Sequence, residues 1–201
     1  MGAAWLQIAA MLCASGCAPE EDAVEALAVD LEGIYRVERM TENAAGCLEE
    51  GGSVLEAAAE PFLLVQGVDV LGRVLVKAVT CEGVEACRAK AGALARLEPV
   101  LSEQDFSFNH ATERGDLYGE SITTGVAQDG VCRGGGIKSS AMRRLDASRV
   151  QIDSALVPVE DVPVNGQGGC SAGVVSARAS GQPCGVLRVL VGRFEAPVLG
   201  P

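Results

Sequence analysis

The sequence predicts a mainly β fold: an antiparallel meander closed as a barrel or packed as a sandwich, with an N-terminal helix and one internal helix. Three observations carry this. Apolar and polar residues alternate with period two in several stretches, most cleanly in Arg149-Val150-Gln151-Ile152-Asp153-Ser154-Ala155-Leu156. Turn residues punctuate the chain at near-regular spacing, giving about eight or nine short strands. Only two stretches carry helical spacing. No internal repeat is visible.

The elements follow in order. Ala23, Val24, Ala26, Leu27 and Leu31 cluster on one side of a helix over 21–31, which Gly33 ends. Ile34 to Met40 is β-branched and aromatic, hence extended. Thr41 to Ala59 is small and polar and reads as loop. Phe62 to Val70 and Arg73 to Cys81 form a hairpin about Leu71-Gly72, and both of its faces are apolar enough to be covered. Val84 to Leu97 is the clearest helix: Val84, Cys87, Ala91, Leu94 and Leu97 recur at threes and fours, and Pro99 closes it. Strands are expected over 105–110, 117–126, 137–144, 149–156 and 186–195. Ser171 to Ala179 fits either a strand, through Val174-Val175, or a short helix, through its small residues.

The chain's beginning reads differently. Met1 to Gly16 holds no charge, and Ala3 to Leu12 is apolar apart from Gln7. A membrane span needs roughly 20 apolar residues; this shorter run matches the core of a secretory signal. Ala14-Ser15-Gly16-Cys17 resembles the lipobox of small bacterial lipoproteins. That resemblance implies cleavage before Cys17, a lipid on its sulfur, and export to the bacterial cell envelope. The domains would then be a signal peptide over 1–16, a lipidated cysteine and acidic tether over 17–22, and one β domain over 23–201. The same stretch also reads as a plain export signal or as a core helix. Two or three acyl chains hold a protein to a bilayer stably, at about 0.8 kcal/mol per buried CH₂.

Cysteine usage agrees with export. Setting aside Cys13 and Cys17, the six others are Cys47, Cys81, Cys87, Cys132, Cys170 and Cys184. An even set suits disulfides in an oxidising compartment, and sequence alone does not choose the pairing. Cys81 and Cys87 bracket a helix start and suit one short bridge. Cys170 with Cys184 is the second expectation, leaving Cys47 with Cys132.

A helix before Gly33-x-Tyr35, followed by a meander to Glu195, is similar to the lipocalin-type barrel. There Gly-x-Trp opens the first strand and an arginine from the last strand stacks on the indole. The resemblance implies that Tyr35 takes the tryptophan's place, with Arg188 or Arg193 as its barrel-closing partner, and that a small apolar ligand could lie inside. An aromatic content of 3% is a poor lining for such a cavity.

Catalytic patterns are few. His110 is the one histidine and alternates with Phe106 and Phe108, which suits a partly buried structural residue. No nucleophile elbow, P-loop or dinucleotide fingerprint is present. Gly166-Gln167-Gly168-Gly169 opens no clear helix. Glu49-Glu50 and Glu160-Asp161 are adjacent acids suited to solvated loops rather than acid–base work. Arg114-Gly115-Asp116 is ordinary turn chemistry. No metal or cofactor is expected. A formal net charge of −11 disfavours nucleic acid as a partner. The expected partners are a membrane, through the lipid, and a protein or small molecule. The reading is a non-catalytic binding or envelope module; its alternatives are an interaction module with a filled core, or a carboxylate enzyme.

Overall fold

The computed structural model describes residues 20–43, 55–56, 60–102, 104–165, 169–180, 182 and 185–199. The expected lipid site Cys17, Cys47, Cys184, the Glu49-Glu50 pair and most of the 166–169 glycine run lie outside the described residues.

The elements are α1 (Glu20–Leu31), β1 (Gly33–Asn43), β2 (Leu55–Glu56), β3 (Phe62–Val70), β4 (Arg73–Cys81), α2 (Val84–Ala95), β5 (Asp105–Phe108), β6 (His110–Ala111), β7 (Leu117–Thr123), β8 (Val126–Gln128), β9 (Val131–Arg133), β10 (Gly135–Arg144), β11 (Arg149–Val159), β12 (Val162–Pro163), α3 (Ala172–Ala179) and β13 (Val186–Ala196). Glu20 to Asp22, expected in the tether, open α1 instead.

Ten strands make one antiparallel sheet in the order β5-β4-β3-β1-β13-β11-β10-β7-β6, with β2 added on β1. β5 and β6 are one stretch of chain interrupted at Asn109. Its first part pairs with β4 and its second with β7, so the sheet curls into a nearly closed barrel. The barrel, rather than the sandwich, is thus the observed form. The hairpin turn at Leu71-Gly72 has positive φ at both residues, 57° and 82°. This is the two-residue geometry that matches strand twist. We call the end with this turn the lower end.

The inner wall is built level by level across the ladders. Met40, Leu190, Ile152, Met142 and Leu117 stand opposite one another in register on five neighbouring strands, and all five are buried. Val24, Ala28 and Leu31 on one face of α1 join them, with Leu63, Val65, Val76, Phe106 and Phe108, in one core cluster. The helix therefore fills the lower part of the barrel.

Two outer clusters cover the wall. α2 lays Cys87, Ala91 and Leu94 over Leu64, Val68 and Val79, which explains the two apolar faces of the β3–β4 hairpin. The Cys81–Cys87 disulfide pins this helix to β4, as its spacing suggests. α3 resolves the ambiguous 171–179 stretch as helix; its Val175 and Ala179 pack with Val159, Val162 and Cys132.

The second disulfide corrects the expected pairing. Cys132 is bonded to Cys170, so neither Cys170–Cys184 nor Cys47–Cys132 exists. The cause is a small sheet, β12-β9-β8, that the sequence pattern did not announce. Within it Val162 lies opposite Cys132, which carries that cysteine to the chain leading into α3.

Candidate functional site

One level above the apolar row, the inner wall changes character. The register there runs Glu42, Arg188, Ser154, Ser140, Gly119 across the same five strands. Arg188 donates from Nε to Glu42 Oε2 at 2.7 Å and from Nη1 to Gln104 Oε1 at 3.5 Å. Ser140 Oγ donates to Ser154 Oγ at 3.3 Å, and both serines are buried. The Arg188 side chain keeps 37% of its surface exposed, so water reaches it.

Lys138 stands at the level above, opposite Leu156. Its Nζ donates to the Asp105 carbonyl at 2.7 Å and lies 4.1 Å from the centre of the Phe106 ring. Burial pushes its pKa down, with Arg188 and Lys77 acting the same way against the Asp105 carboxylate. That carboxylate is itself held by Lys77 at 2.6 Å. Among the described residues no carboxylate pairs with Lys138.

The segment carrying Gln104 is tied down by Thr80. Thr80 Oγ1 donates to Glu60 and accepts the Gln104 N–H at 3.1 Å, while the Gln104 carbonyl accepts the Thr80 N–H at 3.0 Å. Lys90 Nζ caps the Thr80 carbonyl at 2.6 Å. On the other side of the cup, β7 pairs with β6 only at Leu117 and Tyr118, and Glu120 to Thr123 are exposed. Above Tyr118 the seam between β7 and β5 carries no ladder pairing; the Ser107 backbone packs against Gly119 there, and Lys138 reaches across to the Asp105 carbonyl.

The expected barrel-closing pair does not form. Tyr35 faces Arg144 and Phe194 at the lower end; its ring meets Phe194 edge-on at 5.8 Å and its hydroxyl donates to the Leu31 carbonyl at 2.7 Å. Arg188 lies six residues from Phe194 along β13, roughly 20 Å at strand rise, beside Glu42. Arg193 pairs with Glu38. Burial, the larger influence, raises the Tyr35 pKa.

His110 is exposed rather than partly buried. The interruption at Asn109 shifts the alternation so that Ala111, not His110, packs toward the core. Glu160 and Asp161 are exposed on the β11–β12 loop. Arg114-Gly115-Asp116 is a turn: Gly115 has φ 81°, and Thr112 Oγ1 accepts the Asp116 N–H at 3.1 Å.

Glu42, Gln104, Lys138, Ser140 and Ser154 were not candidates on sequence. The available signal was that residues 138, 140, 154 and 188 share strand phase with the apolar Met142, Ile152 and Leu190. Among the described residues no group of three or more His, Cys, Asp or Glu is placed to hold a metal. Nor, among them, is any helix long and apolar enough to cross a membrane. No family model, curated protein or solved structure matches the chain.

Proposed function

We propose that the chain is an exported protein, anchored through a lipid on Cys17, that serves the bacterial cell envelope as a non-catalytic binding module. Its binding site is the upper cup of the barrel. The observation that carries this reading is the change of the inner wall, from one inward-facing level to the next, from apolar side chains to two buried serine hydroxyls beside the partly exposed Arg188–Glu42 pair. A rigid disulfide-stapled barrel holds those groups without spending stability on moving parts. The two disulfides are consistent with export, since such bonds persist in oxidising compartments. The polar wall favours a polar ligand over the small apolar one implied by the lipocalin resemblance. A second reading, an interaction module with a filled core, draws on α1, which occupies the lower barrel.

The test is the intact mass of the protein made in a bacterial host, beside Cys17→Ala, with and without thiol alkylation. A mass beginning at Cys17 with acyl chains, no free thiol, and release of the variant from the membrane fraction is expected. A full-length chain with reactive thiols would overturn the proposal.

A further inference from the structure

We propose that the upper cup binds a small organic anion, whose oxyanion group bridges the Lys138 ammonium and the Arg188 guanidinium. The inference deepens the binding-module reading above and rests on it.

A cation turned into a barrel loses hydration, and a carboxylate partner ordinarily restores the balance. Among the described residues Lys138 meets only a neutral carbonyl and a phenyl ring at contact distance. The nearby Asp105 carboxylate is engaged by Lys77. Among the described residues Arg188 has one carboxylate, Glu42, and a long contact to Gln104; a guanidinium has five N–H donors, so these two contacts leave donors over. The two cations repel each other, as the Arg188 influence on Lys138 records. A bound anion would remove that repulsion and supply the missing partner of Lys138. Ser140 and Ser154 line the wall between the two cations with hydroxyls that can donate to a further oxygen. The adjoining Gly119 adds no side chain to that wall. In a chain of net charge −11, the described residues at the cup set three cations, Lys77, Lys138 and Arg188, against two carboxylates, Glu42 and Asp105, a local reversal of sign. Guanidinium and ammonium groups both favour oxyanions, the former by paired donors. The Arg188 side chain, 37% exposed, is the part of the cup that solvent reaches.

The experiment titrates the full chain in a neutral detergent with succinate and with glycerol 3-phosphate, and with glycerol and hexanol as uncharged controls. Calorimetry and amide resonances of Gly119, Ser140 and Ser154 are read at low and high salt. Expected are binding of at least one anion, weakening at high salt, and at least tenfold weaker binding in Lys138→Met at an unchanged thermal midpoint. In the unmutated chain the anion should also raise the Lys138 pKa, a readout that survives if the variant does not fold. Binding of hexanol without either anion would overturn the anion and leave the binding module standing. If no probe moves the cup resonances, both fall, and the cup is structural.

Discussion

Asp146, at the tip between β10 and β11, shows how a single exposed side chain sets a turn. It accepts the Ser148 backbone N–H at 2.8 Å and the Arg149 Nε–H at 2.7 Å. Those bonds, the backbone one first, hold its pKa down at about 2. A carboxyl with a lowered folded pKa stabilises the fold fully above its unfolded value near 3.8, and that contribution disappears as pH falls through 2. Carbon-detected titration should place its midpoint near 2 and move it upward in Arg149→Gln; a midpoint at the ordinary carboxylate value would refute the turn geometry. Gly119 sets the closure of the barrel. A Cβ there would overlap the Ser107 carbonyl oxygen and lie 2.8 Å from Phe108 Cα, both backbone atoms that cannot give way. Gly119→Val should therefore cost roughly 3 kcal/mol or more in urea unfolding, with early loss of amide protection over 105–111. Gly83→Ala, at an extended N-cap position with nothing near, is the control and should cost no more than about 1 kcal/mol. Equal losses in both would dismiss the close approach as the cause.

At the scale of elements, the β1–β13 ladder makes a covalent prediction. It pairs Thr41 with Val189 and Asn43 with Leu187 at its upper end. Cys47 follows Asn43 by four residues, and Cys184 precedes Leu187 by three. These two cysteines lie outside the described residues, yet they follow the same ladder end, and the other four of the six are already bonded. A peptide map without reductant should show Cys47 joined to Cys184; a free thiol at either would defeat this. The elements also show what a sequence discloses. β3, β4 and α2 were legible because burial imposes period two on a strand and near 3.6 on a helix over many residues. The small β12-β9-β8 sheet was not, because strands of two or three residues are too short for a period to register. That omission is what misassigned Cys132 and Cys170. Tyr35 was placed correctly near the start of β1, while its partner was not, since the arginine it faces, Arg144, comes from β10 and not from the last strand. The cup escaped notice for a related reason. Its residues come from five separate strands, and only the ladder alignment sets Glu42, Arg188, Ser154 and Ser140 side by side.

For the whole molecule, α1 decides whether the barrel is a solid or a vessel. Val24, Ala28 and Leu31 are nearly inaccessible, each at 3% exposure or less. The helix is held by an ion pair from Arg144 to Asp30 at 2.8 Å and by the Tyr35 hydroxyl on its last carbonyl. β3 comes close enough that a Cβ on Gly67 would lie 3.1 Å from that of Ala28. α1 also begins three residues after Cys17, so a lipid there would hold the barrel within about 10 Å of the bilayer surface at full extension. An anchor so close would pull on the helix that floors the cup. The helix must then be part of the cooperative fold, not a plug that slips out. Leu31→Ala, which empties a side-chain volume at the centre of this packing, should cost about 2–5 kcal/mol, and do so in one transition. Far-ultraviolet ellipticity, which reports strands and helices, and the emission of a Trp5→Phe, Tyr118→Phe chain, in which Tyr35 is the one emitter left and reports the lower end, should move together in urea. If α1 left first, the tyrosine signal would change at low denaturant with the strands intact. The lower barrel would then be an inducible cavity, and the apolar ligand set aside above would regain a place to bind.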